Sequence, residues 1–494
     1  MYHLYGYTDA LCNDGSVGGF YYAPWTDPAK QNLWLVYLEG GSWCYSNSSC
    51  AERKNLMPEL TTSNMWWWKM AMGGIFDKDP KRNPFAGANL VYVGYCSSDA
   101  WVGNVGAGPD TFGWHFRGQR IIEATFQMLA RGVGVINKYT QRSPSGQKLY
   151  LSNTTTYRLT ASDKVLFGGC SAGSRGAMFT VDYVQPMLPP GSPPVLAFFD
   201  SPMWVDVEPV TGADGSIISL EYQTQQIYAL VNATARLGDA CAAAYPGEGW
   251  KCLYGQYRLP FVETPYLVSA SQFDKYQLPY NEGGMPPYNP SQLEYAASFQ
   301  DAVRTVMLNL PTSSQPRSAV FSSACFKHCT SSLAWGSFWG VKVGQVSLRD
   351  YLGAWYFGGG LPSNLTAGAA SLPPGLSKQH IEACSGFGCG QCHRKPSQVA
   401  PAPPLPPAYT LSLYPTATRS SSRQVESEVV RIILFMAASL GLAAAIVWRR
   451  MQAGRDAPGS QRVAIPVVGG VELGQGPFVG GRGETAPLLR REAL

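Results

Sequence analysis

The stretch KVLFGGCSAGSRGAM, Lys164 to Met178, places one serine between glycines at the end of an apolar run. Val165, Leu166 and Phe167 read as a short buried strand, and Ala172 to Val181 as a helix that starts at once. Between them Gly169-Cys170-Ser171-Ala172-Gly173 fits G-x-S-x-G, in which glycines two before and two after the serine let the backbone turn sharply and leave the hydroxyl exposed. With 53 glycines in 494 residues the same pattern also describes an ordinary glycine turn, so its meaning depends on what else the chain supplies.

The length allows one large α/β domain with appendages, or two to three smaller domains. At 45% hydrophobic and 14% charged residues the chain is globular, and a formal charge of +5 without a basic stripe excludes a nucleic-acid partner. Strand-like apolar runs alternate with helical patterns from residue 1 to about 393. Leu33–Gly41, Ala88–Cys96, Lys164–Gly169, Pro193–Ser201 and Thr264–Ser271 read as buried parallel strands. Gly118–Val133 reads as a helix with Ile121, Ile122, Thr125, Met128 and Leu129 on one face. This alternation predicts a mainly parallel sheet flanked by helices, with functional groups at the carboxyl ends of the strands. The tryptophans of MWWWKM, Met65 to Met70, are expected to form a buried packing cluster rather than a substrate-stacking surface.

Twelve cysteines, mostly in close pairs, fit either disulfides or zinc thiolates. Sequons at Asn47, Asn153, Asn232 and Asn364 favour the secretory route and hence disulfides. Close pairs are Cys44 with Cys50, Cys241 with Cys252, Cys325 with Cys329, and Cys384 with Cys389 or Cys392; Cys12 with Cys96 is a long one. Cys170, beside the serine, is expected to stay free.

Residues 394–428 form a Pro/Ser-rich linker. Residues 429–448 are predicted to be a single transmembrane helix, since Ile432 to Trp448 carries no charge and Arg431 can snorkel. Arg449, Arg450 and Arg455 then direct the Gly-rich tail, 449–494, to the cytoplasm and residues 1–393 to the lumenal or extracellular side. That topology calls for a signal peptide, which MYHLYGYTDALCNDGS does not resemble, so the sequence is expected to lack its true amino terminus.

A nucleophilic Ser171 needs a base. In α/β-hydrolases the chain order Ser, Asp or Glu, His leaves His328, His380 and His393. His328 sits in SSACFKHCTSS, read as a short loop pinned by Cys325 and Cys329; the competing reading is a zinc site with those cysteines. For the acid, Asp274 follows a strand-like run at the right distance, and Asp200 at the end of VLAFFD competes with it. Oxyanion donors would come from the Ala172 amide and from the glycine turn of YLEGGSWC, at Gly40, Gly41 and Ser42.

Eight motifs, CNDGS, LWLVYLEGGSWC, YCSSDAW, HFRGQRI, GCSAG, FDKYQL, CFKHC and AWYF, lie in the order and rough spacing of the pectin acetylesterase and Notum family, over about Leu11 to Phe357. The resemblance implies an α/β-hydrolase fold and a serine carboxylesterase with Ser171, Asp274 and His328 as triad. It also implies oxyanion amides at Gly41, Ser42 and Ala172, and no cofactor or metal. The substrate would be an O-acetylated polysaccharide of the cell wall or extracellular space, or, for a Notum-like enzyme, an acylated protein; a membrane-anchored glycan-binding protein with a dead site is the non-enzyme alternative. The chain departs from the plant pattern at Ser42 and from the family at Ser174, where glycine is usual.

Overall fold

The computed structural model describes residues 1–142, 148–210, 218–312, 318–332, 337–358 and 377–392. Strands β1 (Tyr2–His3), β2 (Gly19–Ala23), β3 (Leu33–Leu38) and β4 (Asn89–Val93) begin the chain. An antiparallel hairpin follows, β5 (Val133–Arg142) with β6 (Lys148–Tyr157). Then come β7 (Lys164–Cys170), β8 (Leu196–Asp200), β9 (Tyr266–Asp274) and β10 (Ala319–Lys327). A two-residue hairpin, β11 (Lys342–Val343) and β12 (Val346–Ser347), precedes β13 (Gln379–Ile381).

Nine strands form one sheet in the order β1-β2-β4-β3-β7-β8-β9-β10-β13. All pairings from β4 to β13 are parallel, while β1 with β2 and β2 with β4 are antiparallel, so the sheet is mixed at one edge. Every residue of β3, β4, β8 and β9 is buried. That is why these strands read as continuous apolar runs: helices cover both faces. The period of two still shows in the packing. Trp34, Val36 and Leu38 join one core, and Leu33, Leu35 and Tyr37 the other.

Helix α1 (Asn47–Leu56) is capped by Ser46, and α2 (Gly118–Arg131) buries Ile121, Ile122, Thr125 and Leu129. Helix α3 (Ala172–Thr180) leaves β7 directly and is buried along its whole length. Its close seat explains the second glycine of G-x-S-x-G: a Cβ on Gly173 would lie 2.1 Å from the Leu38 carbonyl oxygen.

The tryptophan cluster departs from the expected burial. Trp66 packs on the core and donates from Nε1 to the Glu59 carbonyl at 2.9 Å. Trp67 and Trp68, however, are 70% and 73% exposed, because three adjacent residues in an irregular segment cannot all face one core. Among the described residues no helix is long and apolar enough to cross a membrane. The linker, the predicted span 429–448 and the tail lie outside the described residues.

Candidate active site

Ser171 stands between β7 and α3 with φ 57° and ψ −122°. A non-glycine residue adopts this conformation only under surrounding constraint, and such strain collects at functional positions. Here the constraint is both tertiary and local: the Ser171 amide donates to the Asp200 carbonyl on neighbouring β8 at 3.0 Å, and the Arg175 amide closes the first turn of α3 on the Ser171 carbonyl at 2.9 Å. Ser171 is 6% exposed.

Parallel pairing brings the acid and the histidine together. β9 and β10 are neighbours, and Lys327 lies opposite Asp274, so His328 emerges beside the last residue of β9. The His328 Nδ1 to Asp274 Oδ2 distance is 2.7 Å. The other carboxylate oxygen, Oδ1, accepts from the amides of Tyr276 and Gln277, both at 2.9 Å, which locks its orientation. On the far side of the ring, His328 Nε2 is buried and has no hydrogen-bond partner among the described residues. An imidazole nitrogen of His328 lies within 4.8 Å of the sulfur of Cys170, the residue before Ser171.

The reason for that proximity is a disulfide between Cys170 and Cys329, which bridges the residue before the serine to the residue after the histidine. Cys170 is therefore not free, and Cys325 does not pair with Cys329. Cys325 lies inside β10, where its side chain faces the second core, and it bonds Cys392. The expected loop around His328 is thus the end of a long strand. The remaining pairs are Cys12–Cys96, Cys44–Cys50, Cys241–Cys252 and Cys384–Cys389, so all twelve cysteines are joined. His328 with Cys170 and Cys329 has the composition of a metal cluster, but the two sulfurs are bonded to each other and offer no thiolate.

Asp200 is a brace instead of a partner for His328. Its carboxylate accepts from Ser201 Oγ at 3.1 Å, Thr330 Oγ1 at 3.2 Å, the Ser331 amide at 2.7 Å and Ser331 Oγ at 2.6 Å, holding the segment that follows the histidine. Burial pushes its pKa up. His380 is also structural: it stacks on Tyr351 with rings 5.2 Å apart, and its Nε2 meets the Val343 carbonyl at 3.0 Å. His393 lies outside the described residues.

The glycine turn after β3 abuts the serine. A Cβ on Gly40 would lie 2.7 Å from the Cys170 carbonyl oxygen and 3.0 Å from Ser171 Cβ. Gly41 has φ 145° and Ser42 φ 59°, so the chain turns here through positive-φ conformations that glycine adopts most readily. No acceptor meets the amides of Gly41, Ser42 or Ala172 among the described residues. Ser42 Oγ lies 2.8 Å from Tyr276 Oη, and the Ser42 carbonyl accepts from Tyr95 Oη at 2.8 Å. Glu39, before the turn, accepts from the Tyr95 amide at 2.8 Å, and burial pushes its pKa up to about 7.

Sequence reasoning missed the Cys170–Cys329 bridge, the bracing role of Asp200, and Arg175. Contacts among residues distant in the chain leave no local pattern. The sequon residues Asn47, Asn153 and Asn232 are exposed, and Asn364 lies outside the described residues.

Comparison with known proteins agrees with this geometry. The pectinacetylesterase family model matches residues 3–138 and 148–384. Palmitoleoyl-protein carboxylesterase NOTUM of Drosophila melanogaster is 30% identical over 358 residues, covering 70% of this chain and 47% of that protein. Pectin acetylesterase 7 of Arabidopsis thaliana is 26% identical over 368 residues, covering 71% and 84% respectively. A crystal structure of the Wnt deacylase Notum from Drosophila superposes with a TM-score of 0.63 at 26% identity, over 80% of this chain and 99% of that one. The chain thus spans about half the length of its fly relative. With the family model matched along most of its length, the chain belongs to the pectinacetylesterase family.

Proposed function

We propose that this protein is a serine carboxylesterase in which Ser171 attacks, His328 shuttles the proton, Asp274 orients the imidazole, and the amides of Gly41, Ser42 and Ala172 receive the oxyanion. The observation that carries this reading is the 2.7 Å bond between Asp274 and His328 Nδ1, with Nε2 buried and unpartnered among the described residues in a ring held within 4.8 Å of the sulfur of Cys170, the neighbour of Ser171. Nδ1–H donated to the carboxylate makes Nε2 the basic nitrogen. Ser171 Oγ loses its proton to Nε2 as it bonds the ester carbonyl carbon; the carbonyl oxygen takes up the negative charge against the three amides. Collapse breaks the ester bond, and the imidazolium protonates the departing alkoxide. Water, deprotonated by the same nitrogen, then releases the acid.

The substrate reading is an O-acetyl ester on a cell-wall or extracellular polysaccharide, as the name of the Arabidopsis relative suggests. The 30% identity to a palmitoleoyl-protein carboxylesterase supports a second reading, an acylated protein. Six disulfides suit an oxidising compartment. The sequence further supports a catalytic domain, 1–393, held by the apolar run 429–448, which alkaline extraction of membranes would test.

Assay of the full chain with p-nitrophenyl acetate and acetylated pectin, beside Ser171→Ala, tests the activity. Acetate release that vanishes in the variant is expected. Equal background from both proteins would overturn the reading in favour of a glycan-binding protein.

A further inference from the structure

Arg175 is a buried cation near the elbow that an esterase mechanism does not use. It lies one turn along α3 from Ser171 and is 2% exposed. Its Nε, Nη1 and Nη2 are all buried without a hydrogen-bond partner among the described residues. A guanidinium remains charged in proteins, so burial with no carboxylate in direct contact, the charge of Asp274 acting only from a distance, is costly and calls for a reason. What holds it is aromatic: the guanidinium carbon lies 3.6 Å from the centre of the Trp204 ring and 5.0 Å from that of Trp43. Burial brings its pKa down to about 10, which leaves it cationic at neutral pH.

These aromatics connect Arg175 to the reacting groups. Trp43 follows Ser42 directly and meets Trp204 edge-on, with rings 4.7 Å apart. Trp204 stacks on Tyr276 at 6.1 Å with an interplanar angle of 7°, and Tyr276 stacks on His328 at 5.5 Å. Tyr276 also reaches Ser42 through its hydroxyl. A carbonyl carbon bonded to Ser171 Oγ has its oxyanion toward the turn amides and its leaving oxygen toward His328. Trp43, Trp204 and Tyr276 thus run from the turn after β3 to the ring of His328, and Arg175 of α3 packs on both indoles.

We infer that the acyl substituent of a bound ester points toward this aromatic group, and that Arg175, packed in the corner formed by Trp43 and Trp204, closes the acyl side of the site and restricts the enzyme to acetyl-sized acyl groups. The inference rests on the carboxylesterase reading and deepens it. An alkyl chain extending beyond the second carbon would have to displace a cation from two indole faces and bring methylenes against unpartnered N–H groups. An acetyl methyl need not do so. The same arrangement disfavours a palmitoleoyl-sized substrate.

The test is chain-length selectivity of the full-length protein toward p-nitrophenyl acetate and octanoate, with ethyl and dodecyl fluorophosphonates as probes of Ser171. Wild type is expected to favour acetate over octanoate by at least 100-fold in kcat/KM and to label with the ethyl probe only. Arg175→Ala should narrow that preference by tenfold or more through gained octanoate turnover, and Arg175→Lys, which keeps charge and length, should preserve it. Should Arg175→Ala fail to fold, Arg175→Met and the wild-type probe pair carry the test. Equal turnover of both esters by wild type, or unchanged selectivity in folded Arg175→Ala and Arg175→Met, would overturn the inference while leaving the esterase standing. Absence of labelling by either probe, with no hydrolysis of either ester, would remove the carboxylesterase reading itself.

Discussion

Replacing Asp274 by asparagine should disable the imidazole by reversing its tautomer, and the structure allows the size of the loss to be worked out. Oδ1 accepts two amides at 2.9 Å, from Tyr276 and Gln277, and Oδ2 accepts Nδ1–H of His328 at 2.7 Å. Asparagine has only one acceptor oxygen. Placed at Oδ1, it keeps both amide bonds and turns its NH2 toward Nδ1, so the ring must carry its proton on Nε2, where a base is needed. The flipped amide restores the tautomer but faces two amide donors with a donor; leaving two buried N–H groups unpaired costs about 1–3 kcal/mol each. A bias of about 2–6 kcal/mol corresponds to a kcat loss between roughly 30-fold and 10⁴-fold, the upper end matching the effect of such a change in serine proteases. The assay is kcat for p-nitrophenyl acetate, with the rate of fluorophosphonate labelling of Ser171 as a second readout. Both should fall together while the melting temperature changes little. A folded Asp274→Asn variant within tenfold of wild type on both measures would refute the tautomer argument.

Loop length sets a second expectation. Cys170 and Cys329 are 159 residues apart and Cys44 and Cys50 only six, so chain-entropy arithmetic assigns about 5 kcal/mol to the first bridge and about 2 to the second. In denaturant unfolding, a Cys170→Ala/Cys329→Ala variant should therefore lose markedly more stability than Cys44→Ala/Cys50→Ala; equal losses would contradict the entropic account. Glu39 sets a pH dependence. Its carboxyl, raised by burial to about 7 from an ordinary 4.5, holds a proton in the folded state over an interval in which the unfolded chain has lost it. Its contribution to stability is thus greatest below pH 4.5 and declines as pH rises to 7, by at most about 3 kcal/mol. Glu39→Gln should gain stability relative to wild type between pH 4.5 and 8, measured by denaturation at both; a difference that does not vary with pH would contradict it.

Much of the site was legible because each part is announced locally. The elbow needs glycines flanking the serine, where α3 presses on β3, and the oxyanion turn needs them where backbone crosses backbone; such demands mark the sequence. Asp274 and Asp200 both end apolar runs; position along the chain and the family resemblance pointed to Asp274, with Asp200 as competitor. The register opposing Lys327 to Asp274 decides between them, and it depends on β9 and β10 being adjacent. The same holds for cysteines: proximity in the chain suggested Cys325 with Cys329, but Cys325 lies within β10 and meets Cys392, whereas Cys329 lies beyond the strand's end and meets Cys170.

By itself the sequence determined the α/β class, the strand-to-helix turn at Ser171 and the glycine turn after β3, because local backbone geometry dictates those residues; His328 was singled out by chain order and by the family resemblance. Only the tertiary structure decided which carboxylate holds His328, that a disulfide ties the histidine to the elbow, that Trp67 and Trp68 face outward, and that Arg175 lies caged between indoles. Each of those is a contact between residues distant in the chain, and sheet order and packing, rather than any spacing along the chain, bring such residues together.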